Sequence, residues 1–399
     1  MNVIIQKEKQ IPVKESYDVF VAGGGIAGVS AALAAARNGA SVILAEKQCI
    51  LGGLATAGLV TIYLPLCDGC GKQVSFSQAE ELLRLSMKRC VQDKYPKPWI
   101  ENGTDAEKAK TRYEVQFNPQ LFALDMERIL KEAGVKIMYD TVICDCVVED
   151  KKICAVIIEN KSGRGAYAVK SVVDATGDAD MCKFSGAETA LFKPQNVLAA
   201  WSYANTKDGL KLNMLGFSEV PDEDKTGSEA PPLTKRRFSG IDGDEISEML
   251  CMSHEQVLKD FEKKKAKDDA YEPVTIATMP QLRMTRRIEG KYVLDDKEMH
   301  KRFESSIGLI SDWRKRGPVY EIPFETLYGS DIKNLACAGR NISVTDNMWD
   351  ISRVIPPCAV TGQAAGTAAA LCNDFENLDI SLLQERLKSA GVVLHEDEL

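Results

Sequence analysis

Histidine is scarce: only His254, His300 and His395 occur in 399 residues. None lies near a second His or a Cys pair at zinc-ligand spacing, so the usual zinc donor sets are missing. Long apolar runs are missing too. The longest, Ile26 to Ala36, is too short to cross a bilayer and leads directly into Arg37-Asn38-Gly39. Met1 to Ser16 is polar and lacks the apolar core of a signal peptide, so secretion and a membrane partner are not expected. Positive charge is in deficit, with 50 Lys and Arg against 58 Asp and Glu for a net charge of −8. Lys235-Arg236-Arg237 is only a short basic cluster, whereas phosphate neutralisation needs cations massed on one face. A nucleic-acid partner is therefore not expected. No internal repeat is present, and 29 Gly and 15 Pro are ordinary numbers that exclude collagen and wholesale disorder. The length is ample for a buried core and suits one large domain or two to three ordinary ones.

The 12 cysteines are scattered rather than clustered. Cys144, Cys146, Cys154 and Cys337 lie in apolar strand-like runs, where a free thiol behaves as a small hydrophobe. This is the usage of a reducing cytoplasm. Cys67-x-x-Cys70 is readable as a redox pair or as two free thiols, and no second CxxC supplies ligands for an iron–sulfur cluster. The Asp68-Gly69 between them marks a turn.

Tyr17 to Ala22 is a short β-rich run, followed by Gly23-Gly24-Gly25-Ile26-Ala27-Gly28. Ile26 to Asn38 reads as a helix closed by Gly39, and Ser41 to Ala45 as a second strand ending at Glu46. Strand, glycine turn, helix, strand and acid within about 30 residues make one βαβ unit. Further helices are expected at Gln78 to Arg89 and Pro119 to Ala133, with a polar excursion at Asp93 to Thr111 between them. A strand at Val135 to Tyr139 leads to three more, Thr141–Val148, Ile153–Glu159 and Ala166–Ala175, joined by turns as a β-meander. From Lys183 to Pro323 the pattern changes. Glu219 to Lys235 is acid- and Pro-rich, and Asp260 to Asp269 is a mixed charge run suited to a solvated helix face. The βα style returns with a strand at Leu335 to Ala338 and an Ala-rich helix from Cys358 to Leu371.

Gly23-x-Gly25-x-x-Gly28 in this strand–helix context points to a dinucleotide. Gly23 permits the tight turn, Gly25 lets backbone approach a pyrophosphate, and Gly28 lets helix pack on strand. A glycine turn without a ligand is the alternative. Glu46 suits the ribose hydroxyls as an acceptor-only carboxylate, with Lys47 following it. NAD and FAD both remain open on these residues alone.

Later segments resemble those of flavoproteins with two dinucleotide-binding domains, of the glutathione-reductase-like FAD fold. They are Gly52-Gly53-Leu54-Ala55-Thr56 after the second strand, Asp174-Ala175-Thr176-Gly177-Asp178 closing the meander, and Ala338-Gly339-Arg340. With Leu66-Cys67-Asp68-Gly69, Glu80-Glu81-Leu82-Leu83, Arg283-x-x-Arg286-Arg287-Ile288-x-Gly290, Arg353-Val354-Ile355-Pro356-x-Cys358 and Thr361-Gly362-Gln363-Ala364-Ala365-Gly366, the chain resembles the bacterial FAD-dependent oxidoreductase family over nearly its whole length. The resemblance implies non-covalent FAD held by Gly23, Gly25, Ile26, Ala27, Gly28, Glu46, Lys47, Gly52, Gly53, Leu54, Ala55, Val142, Gly177, Gly339, Arg340, Gly362 and Gln363. It also places the Thr361–Gly366 helix start at the flavin pyrimidine edge; close packing of a small-residue helix is the alternative. Relatives carry His near the position of Asp346, and this chain departs from that pattern.

The fold expected is α/β: a Rossmann-like FAD-binding domain with a β-meander, interrupted by a second, α+β substrate domain. The boundaries expected are 1–185 and 326–399 for the FAD-binding parts and 186–325 for the substrate or cap domain. The activity expected is hydride movement between flavin N5 and a small organic substrate bearing a carbonyl, hydroxyl or carboxylate. The alternative is a flavin electron-transfer subunit working with an iron–sulfur or other redox partner. Arg286, Arg287 and Arg353 are the candidates for gripping substrate, against structural ion pairing. Asp346 is the candidate for handling the proton, against a turn-capping role. A homodimer and an electron donor or acceptor are the partners left open.

Overall fold

The computed structural model describes residue 4 and residues 8–88, 95–216 and 232–399. Arg89, the remainder of the N-terminal stretch and most of the Glu219 to Lys235 segment lie outside the described residues. The first strand, β1 (Val13–Ala22), begins four residues before the apolar run, because Val13 to Ser16 pair in a ladder while their side chains stay exposed. Helix α1 (Ile26–Arg37) closes at Asn38, with Gly39 at φ 86°, and β2 (Val42–Ala45) is fully buried. The excursion that follows holds β3 (Ile62–Tyr63), α2 (Gln78–Met87), the short α3 (Lys97–Ile100) and α4 (Asp105–Lys108), and β4 (Val115–Gln116). Helix α5 (Pro119–Glu132) starts where the Asn118 side chain accepts from the backbone N–H of Gln120 and Leu121. Then come β5 (Lys136–Met138) and the meander of β6 (Val142–Glu149), β7 (Lys152–Asn160) and β8 (Gly163–Asp174).

After the short α6 (Asp180–Ser185) the architecture changes. Strands β9 (Thr189–Leu191), β10 (Ala200–Thr206) and β11 (Gly209–Leu215) precede the long helix α7 (Gly243–Lys265), whose C-terminal part carries much of the mixed charge run. Strand β12 (Glu272–Ile276) returns to pair with β10, giving an antiparallel sheet in the order β11-β10-β12. Strand β13 (Arg286–Ile288) pairs with β9, and β14 (Ser306–Ser311) with β15 (Val319–Pro323). The chain ends with β16 (Leu335–Cys337), α8 (Asp346–Ser352), α9 (Ile355–Leu371) and α10 (Ile380–Ser389).

The main sheet has the order β5-β2-β1-β8-β7-β6, with β16 added alongside β8. On the edge away from β1, strand β8 serves two partners along its length. Its first half pairs antiparallel with β7, and its second half pairs parallel with β16. On one face α1 and α9 lie in backbone contact, which only glycine permits. A Cβ at Gly362 would stand 2.3 Å from the Ala27 carbonyl oxygen, and one at Gly366 2.0 Å from that of Ala31. The result is a Rossmann-like α/β fold whose inserted segment is α+β.

Candidate active site

Parallel strands β1, β2, β8 and β16 all end on one edge, with Ala22 and Cys337 both level with Asp174. Ligands of open α/β sheets bind beyond this edge. Here a cavity of about 850 Å³ opens between the strand ends and the inserted segment. Every cofactor candidate lines it except Gly28, Gly362 and Gln363.

The glycine turn divides its work. Gly23 is held at φ 95°, where a Cβ would stand 2.7 Å from the Ala175 carbonyl oxygen. A Cβ at Gly28 would lie 1.9 Å from the Gly23 carbonyl oxygen, so that glycine serves packing. A Cβ at Gly25 would meet no atom within 4 Å, because the space in front of it belongs to the cavity. The open N-terminus of α1 follows, with backbone N–H groups suited to an anion. Glu46 is buried, and its two carboxylate oxygens accept from the N–H of Gly24 at 2.6 Å and of Gln48 at 2.8 Å. Burial raises its pKa, and the backbone donors oppose that shift. A carboxylate has about four lone-pair sites, so acceptor capacity remains for hydroxyls. Gly177 is held at φ 81°, the left-handed region that favours glycine, and the Arg340 guanidinium lies over it.

Two expectations for α9 are corrected. The helix starts at Ile355, not at Cys358 or Thr361, since prolines are tolerated in a first turn and Pro356-Pro357 lie inside it. The helix end at the cavity is therefore Val354-Ile355. Gly362 packs on α1, and Gln363 ties α9 to α2, its Oε1 accepting from Gln78 N–H at 3.2 Å and its Nε2 donating to Ser77 Oγ at 2.8 Å.

The arginines separate by partner. Arg353 lines the cavity, gives Nε and Nη2 to Asp350, and stands 5.9 Å from the Trp313 ring centroid. Arg340 also lines it and pairs with Asp178 at 3.3 Å. Arg286 is not a lining residue. It donates to the Asp178 carbonyl at 2.9 Å and to Asp180 Oδ1 at 2.7 Å, tying β13 to the segment after β8. Arg287 pairs with Glu289 at 3.1 Å and lies over the Trp349 ring, again off the cavity. Asp346 opens the first turn of α8, partly buried, with Arg287 and Lys193 as its nearest positive charges. It is not among the lining residues. Burial raises its pKa against those two cations.

Arg283, Trp201 and Trp313 line the cavity and were not assigned to it from sequence. Arg283 heads the Arg283-x-x-Arg286-Arg287 run, and its apolar neighbours Leu282 and Met284 were the available sign of burial. The Cys67 and Cys70 thiols are free, and neither lines the cavity. Asp68 builds the turn between them, Oδ1 accepting from Cys70 N–H at 2.7 Å. Cys337 is buried, whereas Cys144, Cys146 and Cys154 are only half-buried. Among the described residues no helix is long and apolar enough to cross a membrane.

The model of the FAD dependent oxidoreductase family matches residues 18–198 and 310–387, more than half of the chain, in two pieces flanking the inserted segment. Among curated proteins, the chain is 26% identical over 191 residues to a digeranylgeranylglycerophospholipid reductase of Methanococcoides burtonii, covering 46% of this chain and 43% of that protein. It is 28% identical over 235 residues to a tRNA uridine 5-carboxymethylaminomethyl modification enzyme of Streptococcus pyogenes, covering 58% of this chain and 34% of that protein. The chain thus spans less than half the length of these curated relatives. Among solved structures, a geranylgeranyl bacteriochlorophyll reductase-like protein of Thermoplasma acidophilum is 13% identical with a TM-score of 0.47, covering 94% of this chain and 83% of that one.

Proposed function

This chain belongs to the FAD dependent oxidoreductase family, and from that premise we propose that it moves a hydride between flavin N5 and a small organic substrate bearing a carbonyl, hydroxyl or carboxylate. FAD is the cofactor. The residues at the strand ends fit it: an unobstructed glycine turn at Gly25, a helix N-terminus behind it, and Glu46 with acceptor capacity to spare. The bound flavin supplies two-electron chemistry, and the chain supplies binding, orientation and exclusion of water. In this reading Gly23 to Ala27 hold the pyrophosphate, Glu46 and Lys47 the adenosine side with Val142, and Gly52 to Ala55, Gly177, Gly339 and Arg340 the remainder. No covalent link is involved. The segment 186–325 acts as a substrate domain between the FAD-binding parts 1–185 and 326–399.

The observation that carries the proposal is the continuity of the cavity. It runs from the dinucleotide turn to a second end walled by Trp201, Met214, Met279, Trp313, Arg283 and Arg353. A dinucleotide-binding domain alone has no use for that second end, whereas an oxidoreductase needs it for substrate. The free thiols and the net charge of −8 support a cytoplasmic protein working on small molecules. Purified protein should release about one FAD per chain on heating, identified by chromatography. Anaerobic photoreduction followed by a panel of acceptors should then find one that reoxidises it. A colourless protein that cannot be reconstituted with FAD overturns the reading.

A further inference from the structure

Arg283, Arg340 and Arg353 are among the arginines that line the cavity, Arg283 and Arg353 at its second end. Two have acids of their own, Asp178 for Arg340 and Asp350 for Arg353. Arg283 has no ion pair among the described residues. Its side chain is nonetheless buried, the residue being 5% exposed, and its Nη1 has no hydrogen-bond partner. A buried guanidinium without a hydrogen-bonded counter-charge is costly. Burial, with the charges of Arg353 and Arg340 added, lowers its pKa to about 9 against the opposing charge of Asp350, an acid already held by Arg353, and this still leaves a cation at neutral pH.

The site around it is built. Asn196 Oδ1 accepts from the backbone N–H of Arg283 at 2.8 Å and of Met284 at 3.0 Å, and Arg340 Nη1 donates to the Arg283 carbonyl at 3.2 Å. The guanidinium lies 5.1 Å from the Trp201 ring centroid, and Trp201 is pinned in turn by its Nε1 donating to the Gly216 carbonyl at 2.9 Å. The backbone is thus held while Nη1 is left without an acceptor. Arg offers a planar fork that matches a carboxylate in two hydrogen bonds. The walls beside it, Trp201, Met214, Met279 and Trp313, are apolar or aromatic.

We propose that Arg283 anchors the carboxylate of a substrate whose apolar or aromatic body lies among Trp201, Met214, Met279 and Trp313. This rests on reading the cavity as a flavin-plus-substrate site and names the substrate class for it. The test uses FAD-loaded protein titrated with benzoate and with its neutral isostere benzamide, followed by the flavin visible spectrum and by calorimetry. Benzoate should bind at least tenfold more tightly than benzamide. Arg283→Met, with its flavin content measured separately, should keep FAD and lose benzoate affinity at least tenfold, and Arg283→Lys should fall between. Equal binding of benzoate and benzamide to the unaltered protein overturns the proposal, a result that no folding defect can imitate. So does an Arg283→Met protein that loses FAD yet keeps benzoate affinity, since the guanidinium then serves the cofactor. If the chain takes up no FAD, the oxidoreductase reading fails, and calorimetry with benzoate still decides the anion site.

Discussion

At Gly25 an added Cβ would meet no atom within 4 Å, whereas at Gly28 it would stand 1.9 Å from the Gly23 carbonyl oxygen. Gly25 also has φ −66°, which any residue adopts. Gly25→Ala should therefore fold with stability within about 0.5 kcal/mol of the parent, yet bind FAD at least tenfold more weakly, because the methyl group stands where the ligand must approach. Gly28→Ala should cost about 1–3 kcal/mol from forced overpacking. Urea unfolding of the apoproteins and FAD titration separate the two, and equal FAD affinity for Gly25→Ala would remove the turn from the binding site. Glu46→Ala deletes the acceptor for Gly24 and Gln48 N–H as well as any bond to ribose. Calorimetry on the apoprotein should show FAD affinity reduced by about 1–3 kcal/mol, and unchanged affinity would place the ribose acid elsewhere. These residues are legible in the sequence because their constraint is local: a turn, a helix start and the end of the next strand lie within one βαβ unit. The arginines are not. Whether Arg283, Arg286 or Arg287 is left without an acid depends on where Asp178, Asp180 and Glu289 fall after folding, and two of those acids precede the run by about a hundred positions.

Helices α1 and α9 meet without side chains between them at Gly362 and Gly366, so the packing distance is set by backbone atoms. Gly366→Ala places a methyl group 2.0 Å from the Ala31 carbonyl oxygen, and the helices must part to admit it. A loss of about 1–3 kcal/mol is expected, read as a lower urea midpoint at unchanged slope. FAD affinity should fall with it, since α1 carries the cradle at its N-terminus; a midpoint equal to that of the parent protein would show that the helices do not touch there. Elements marked by period and caps are legible: α1 with Gly39 behind it, α5 with Asn118 and Pro119 ahead of it, and the meander with its turns. The starts of β1 and α9 are not. Exposed side chains on Val13 to Ser16 give no alternation, and Pro356-Pro357 resemble a helix stop although they occupy the first turn. The β11-β10-β12 sheet is hidden for another reason. Its third strand arrives only after α7, so the pairing that stabilises β10 is not local.

The inserted segment and the FAD-binding sheet are joined by charge at the cavity rim. Asp178 accepts from Thr285 Oγ1 at 2.6 Å and from Arg340 Nη2 at 3.3 Å, while Asp180 takes Arg286 at 2.7 Å. Both acids line the cavity. Burial, then the charges of Asp178 and Asp174, raise the Asp180 pKa to about 6 despite Arg286 and Lys47. Since the folded value exceeds the usual carboxylate value of about 4, the stability this group contributes is present below about pH 4 and is lost as pH rises through 6. The same sign governs the ligand. Above pH 6 a charged Asp180 adds negative charge to the cavity lining, and below it the neutral acid does not, so binding of an anionic cofactor and protonation should favour one another. Burial raises other acids of the cavity too, Glu46 among them, so the parent profile alone is a sum. Asp180→Asn isolates the effect by holding the side chain neutral at every pH. At pH 7.5 this variant should bind FAD about threefold to tenfold more tightly than the parent, the scale of one partly screened charge. At pH 5 the two should bind alike. Titration of both apoproteins at the two pH values tests this, and a constant ratio between them, or weaker binding by the variant at pH 7.5, would show that Asp180 does not sense the cofactor.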